Sequence, residues 1–110
     1  MPFVQDINYE RLPPHLQGGV QRYIEQGIPP GGFLTAVITN DLFLAISHAD
    51  NISLAALPEI VRFFYNETPT MCWGTEEKMK AWIKTGHKKY TDLSEYIERK
   101  PYPVEIIRVK

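Results

Sequence analysis

Apolar residues crowd most densely between Phe33 and His48. Phe33, Leu34, Val37, Ile38, Leu42, Phe43, Leu44 and Ile46 fall at helical spacings, yet on a wheel they cover well over half the circumference, the mark of a helix buried on most sides. The pattern predicts a single helix over 33–48 at the centre of the fold, entered through the tight turn Ile28-Pro29-Pro30-Gly31-Gly32. Its polar residues Thr35, Asn40, Asp41 and Ser47 need partners or solvent, because a buried polar group without a hydrogen bond costs roughly 1–3 kcal/mol.

Around this segment the patterns are one-sided. Pro13-Pro14 suits a first helical turn, and Leu16, Val20, Tyr23 and Ile24 follow the i, i+4, i+7, i+8 spacing until Gly27 stops the helix. Gly18-Gly19 inside it costs roughly 1 kcal/mol per glycine against alanine, so a break near residue 18 or a close approach by another backbone is expected. A third helix, capped by Asp50, Asn51 or Ser53, takes its apolar face from Leu54, Leu57, Ile60, Val61 and Phe64. Pro58 puts the start of its regular part at about Leu57, and it runs to Asn66. Residues 67–74 read as an unusually apolar loop. Thr75 caps a fourth helix with Glu76 and Glu77 in its first turn, Met79, Trp82 and Ile83 facing inward, and Lys84 and Gly86 near its end. A last short helix, capped by Thr91 or Asp92, carries Leu93, Tyr96 and Ile97, and Val104 to Val109 reads as a strand or extended tail. Phe3, Val4 and Ile7 sit in a mixed extended segment at the other end. The expected fold is one mainly α domain over residues 1–110: a compact bundle of four to five helices around a central buried helix, with at most a short strand pair from the termini.

Composition narrows the function classes. A chain of 110 residues suits a single core. Twelve basic and thirteen acidic residues give a net charge of −1 with no block of like charge, which argues against a general nucleic-acid binder, an anionic-membrane binder and an acidic DNA mimic. The longest apolar run is far short of the ~20 residues that span a bilayer, and Met1-Pro2-Phe3-Val4-Gln5-Asp6 lacks the basic-then-apolar order of a signal peptide. A lone cysteine, Cys72, makes no intramolecular disulfide. A cytoplasmic protein with neither membrane nor nucleic-acid partner is expected.

Candidate chemistry is sparse. His15, His48 and His87 lack a second ligand at zinc-finger or HExxH spacing, so neither a metal nor a cofactor is expected. Ser47-His48-Ala49-Asp50 holds the residue types of a hydrolase triad, but triad members meet in space rather than as sequence neighbours, and no GxSxG elbow accompanies them. A helix C-terminus followed by a new cap explains that stretch better. Cys72, between Met71 and Trp73, reads as a small buried residue rather than a nucleophile. Pro29-Pro30-Gly31-Gly32 before a helix resembles a phosphate cradle only in freeing N–H groups, since the P-loop spacing and its lysine are absent. The remaining constellation is Arg22 and Tyr23 on the first helix, Arg62 and Tyr65 on the third, and Trp73 in the loop. Guanidinium forks and aromatic faces are the groups that together hold nucleotides, while any one of these residues taken singly is better explained as a solvated arginine or a ring that fills the core.

The run Ile28-Pro29-Pro30-Gly31-Gly32-Phe33-Leu34-Thr35-Ala36-Val37, with Asn40-Asp41-Leu42, Ala49-Asp50, Leu57-Pro58-Glu59-Ile60-Val61, Tyr65-Asn66, Cys72-Trp73-Gly74 and Ala81-Trp82-Ile83, resembles a family of small proteins of phages and prophages. The likeness covers roughly Tyr9 to Gly86 and brings no catalytic residues with it. What it implies is context: phage accessory proteins of this kind often act against host defence. The expectation is therefore a non-enzymatic, oligomeric phage protein that sequesters a nucleotide-derived immune signal. Arg22, Tyr23, Gly31, Gly32, Arg62, Tyr65 and Trp73 are its candidate ligand-binding residues. The competing expectation is an inhibitor or adaptor that binds a host defence protein through an exposed apolar and aromatic surface, and the remote one is a small enzyme built on Cys72 or His48.

Overall fold

The segment expected to form one central helix folds as two. The computed structural model describes residues 7–88, and in it α2 spans Gly32–Ile38 and a second helix spans Leu42–His48. The cause lies in Thr39-Asn40-Asp41. Asn40 adopts φ 65°, a left-handed conformation that asparagine tolerates better than other non-glycine residues. Its N–H bonds the Val37 carbonyl at 3.1 Å while the Asp41 N–H bonds that of Ala36 at 2.8 Å, the paired bonds of a Schellman stop. Asp41 then restarts the chain, its carboxylate accepting the Leu44 N–H at 3.1 Å as an N-cap.

In chain order the elements are a 3-10 turn at Tyr9–Arg11, α1 (Pro14–Gln26), α2, α3 (Leu42–His48), α4 (Asn51–Ala55), α5 (Leu57–Glu67), a 3-10 turn at Thr70–Cys72, and α6 (Glu76–Ala81), which runs on through a π turn at Trp82–Gly86. The protein is mainly α, with no strand among the described residues. Among the described residues there are six α-helices, because the central helix divides and the Asp50 cap opens the short α4 before Pro58 starts α5. The chain stays helical through Gly86 to Lys88 instead of stopping there. The expected helix near Leu93 and the strand pair from the termini lie outside the described residues.

The core forms where α1, α2, α5 and the start of the π turn converge. Val20, Tyr23 and Ile24 of α1, Ile38 of α2, and Ile60 and Phe63 of α5 are fully buried, with Trp82 nearly so, and full burial of an aliphatic or aromatic side chain is worth about 1.5–3 kcal/mol. Phe63 packs edge-on to Phe64 at 5.5 Å. The α5 face is rotated from expectation: Phe63 points inward and Val61 is exposed. Gly18 and Gly19 do not break α1. The Arg22 guanidinium folds back over Gly18, and at Gly19 it is the Leu34 side chain of α2, not a backbone, that comes close. Gly27 ends α1 at φ 67° with the His87 ring directly against it, so a Cβ there meets both strain and overlap. No helix among the described residues is long and apolar enough to cross a membrane.

Candidate functional site

The structure separates most of the residues expected to hold a nucleotide. Tyr23 is fully buried, its hydroxyl donating to the Cys72 carbonyl at 2.6 Å. Burial, with Cys72 beside it, pushes the phenol well above its ordinary range. It is the middle of a core chain: the Trp82 indole N–H donates to the Tyr23 carbonyl at 3.1 Å, and His87 Nδ1 meets the Trp82 carbonyl at 2.8 Å. A base cannot reach this ring, so Tyr23 is corrected from ligand contact to core. The Arg22 guanidinium lies along its own helix over Gly18. Arg62 is exposed and pairs with Glu59 at 3.2 Å, a surface ion pair of small worth. Gly31 and Gly32 do enter α2, but that helix has only seven residues, too few for a strong macrodipole, and the His48 ring stands over Gly32.

Tyr65 and Trp73 are brought together. Their half-buried rings lie 5.9 Å apart at an interplanar angle of 42°, and the Trp73 indole nitrogen is buried with no hydrogen-bond partner among the described residues. The Gly74 N–H ties the following residue to the Ile38 carbonyl at 2.7 Å, which seats this loop at the end of α2.

A different surface dominates the exterior. On α3 only Ala45 is buried; Leu42, Phe43, Leu44 and Ile46 are all exposed, Phe43 to 88%. The helix stands as a ridge between two depressions. On one side a cleft of about 680 Å³ runs between α3 and α6, lined by Leu42, Phe43, Leu44, Met79 and Ile83 together with Thr35, Thr39, Asn40, Asp41, Glu76 and Lys80. On the other, a groove of about 60 Å³ is lined by Val37, Leu42, Ala45, Leu57 and Val61. Several polar groups of the larger cleft are engaged within the chain. The Thr39 hydroxyl donates to the Thr35 carbonyl at 2.8 Å, the Asp41 carboxylate caps α3, and Lys80 pairs with Glu76 at 3.5 Å. What such a cleft can recognise is shape and apolar surface, supplied by an aromatic or aliphatic side chain, more than a charged small molecule.

The cluster of His15, Ser53 and Asp50 does not have the geometry of a catalytic triad. His15 Nε2 lies 3.1 Å from Ser53 Oγ and 3.3 Å from Asp50 Oδ2, so one ring nitrogen serves both partners, whereas a triad needs serine and acid on opposite nitrogens. Ser53 is moreover buried. The cluster is a clasp between α1 and the start of α4. Asp50 accepts the Ser53 N–H at 2.6 Å, and this bond, followed by the Ser53 side chain, holds its carboxyl below the usual range. Ser47-His48-Ala49-Asp50 is a helix end and a new cap, as expected. Cys72 is fully buried. No three His, Cys, Asp or Glu side chains among the described residues gather closely enough to hold a metal ion.

Hydropathy alone puts Leu42, Phe43, Leu44 and Ile46 in the core, whereas all four are exposed. The signal that would have moved them outward was the Asn40-Asp41 pair, an αL-tolerant residue followed by a strong N-cap. Comparison with protein families, with curated proteins and with solved structures finds no match to this chain.

Proposed function

We propose that this chain is a non-enzymatic binding protein that holds another protein through α3 and the cleft beside it. One observation carries the reading: a seven-residue helix with four large apolar residues exposed, lying beside a cleft of about 680 Å³ with a mixed apolar and polar lining. Scattered surface leucines are ordinary. A contiguous apolar ridge rimmed by charged groups is the usual mark of an interaction site, and a bared aromatic next to a pocket is the usual form of its energetic centre.

The test is photo-crosslinking in bacterial cells, with a photoreactive phenylalanine analogue at position 43 and, as control, at exposed Gln21. A discrete adduct at 43 and none at 21 is expected. Absence of any adduct at 43 overturns the reading.

A second reading, capture of a nucleotide-like molecule, draws on the Tyr65 and Trp73 rings, the unpartnered indole nitrogen and Arg62 one turn back on α5. A thermal-shift screen against cyclic nucleotides and ADP-ribose derivatives tests it, since a ligand at 100 times its Kd adds about 2.7 kcal/mol of stability. Flat melting curves with every nucleotide remove it.

A further inference from the structure

The exposed apolar residues of α3 include Phe43, which also lines the cleft beside them. We infer that its occupant is a second copy of this chain, related by a two-fold axis beside Phe43, so that each Phe43 enters the cleft between α3 and α6 of the other; this rests on the reading of α3 as a protein-binding surface.

Two observations support it. The knob and the hole are adjacent: Phe43 is 88% exposed and borders the cleft itself. In a two-fold interface the same patch serves both partners, so a projection next to a depression of matching chemistry fills two clefts at once. Area agrees. A phenylalanine carries roughly 150–250 Å² and the aliphatic side chains somewhat less, so at their exposures Leu42, Phe43, Leu44, Ile46 and Val61 present apolar surface on the order of 500 Å². A standard interface covers about 800 Å² per partner, of which about 65% is apolar in homodimers. The patch therefore supplies the apolar share that one subunit of a stable dimer requires. Charge does not oppose it: a net charge of −1 leaves little repulsion between chains.

The experiment is sedimentation equilibrium on the purified full chain over micromolar to near-millimolar concentrations, repeated for F43D. The wild type is expected at twice the chain mass, with a melting temperature that rises with concentration. F43D is expected to stay monomeric throughout, its dissociation constant raised at least 100-fold, while its circular dichroism and cooperative melt are retained, because position 43 touches little of its own fold. A wild type monomeric at every concentration overturns the inference, and so does a dimer that F43D leaves intact. The two readings separate by the mass of the adduct at position 43. A monomeric wild type that still gives an adduct with a different protein removes self-docking and leaves the binding function standing. A monomer with no adduct removes both.

Discussion

Two helices of seven residues, α2 and α3, sit next to each other in the chain with nearly the same apolar content and opposite fates. Every residue from Phe33 to Thr39 is buried or half-buried, whereas from Asn40 to His48 only Ala45 is buried. α2 passes between α1 and the Trp73 loop, with Leu34 against Gly19 and the Ile38 carbonyl bonded to Gly74. The Schellman stop at Asn40 then turns the chain so that α3 can rest only one side on the protein. Apolar density alone therefore does not place a segment in the interior. A three-residue break decides whether the next helix is buried or exposed.

The sharpest way to break this comparison is to put the same charge into both helices. Ile38→Asp should abolish cooperative folding, since it buries an unpaired carboxylate at a fully buried position. Phe43→Asp in dilute solution should leave the monomer's midpoint nearly unchanged. A milder pair makes the contrast quantitative: Ile38→Ala should cost 2–5 kcal/mol, approximately, and Phe43→Ala no more than about 0.5 kcal/mol. Urea melts at low micromolar concentration measure both. Equal losses at the two positions would show that α3 is packed inside.

The break itself is the next target. Asn40→Val forces a β-branched residue to φ 65°, at a cost of about 1–2 kcal/mol, while Asn40→Gly should be neutral or slightly stabilising because glycine enters the left-handed region freely. Asp41→Ala removes the α3 cap and should lose about 0.5–2 kcal/mol. If Asn40→Val instead gains stability and helicity, the segment is one continuous helix and the ridge does not exist.

These contrasts also show what the amino-acid order disclosed. Helix ends governed by local chemistry were legible: Gly27 as the αL stop of α1, Pro58 at the start of α5, Thr75 capping α6 through the Lys78 N–H, and Asp50 capping α4. Those signals act within a turn of the chain. The buried face of α1, Leu16 to Ile24, was legible too, because its period is strict. Two kinds of information were not. Tyr23 and Trp73 are both aromatics beside polar neighbours, and only tertiary packing puts one wholly inside and leaves the other half-buried against Tyr65. Likewise, the inward and outward roles of Ile38 and Phe43 differ by the direction of a helix axis, which hydropathy does not encode. The candidate site was therefore named by residue type, and of its members only Tyr65 and Trp73 proved to be in contact.

The smallest effect expected comes from the charge that caps α4, two residues beyond the end of α3. Asp50 caps α4 immediately after α3 ends, with the Ser53 N–H at 2.6 Å and His15 at 3.3 Å. Because the Ser53 backbone bond, then the Ser53 side chain, lowers its pKa from the ordinary 3.8, folding favours the ionised form. That stability is fully present above the unfolded pKa of about 3.9 and is lost as pH falls through the lower folded value. Asp50→Asn keeps a capping oxygen and mimics the protonated acid, so it isolates the charge. Urea midpoints of the wild type should lie slightly above those of Asp50→Asn at pH 7 and converge with them below about pH 4. The carboxylate is exposed, so added salt should narrow the gap at neutral pH. A gap that stays constant from pH 7 to pH 3 would mean that the cap works by hydrogen bonding alone, and that the charge contributes nothing to the start of α4.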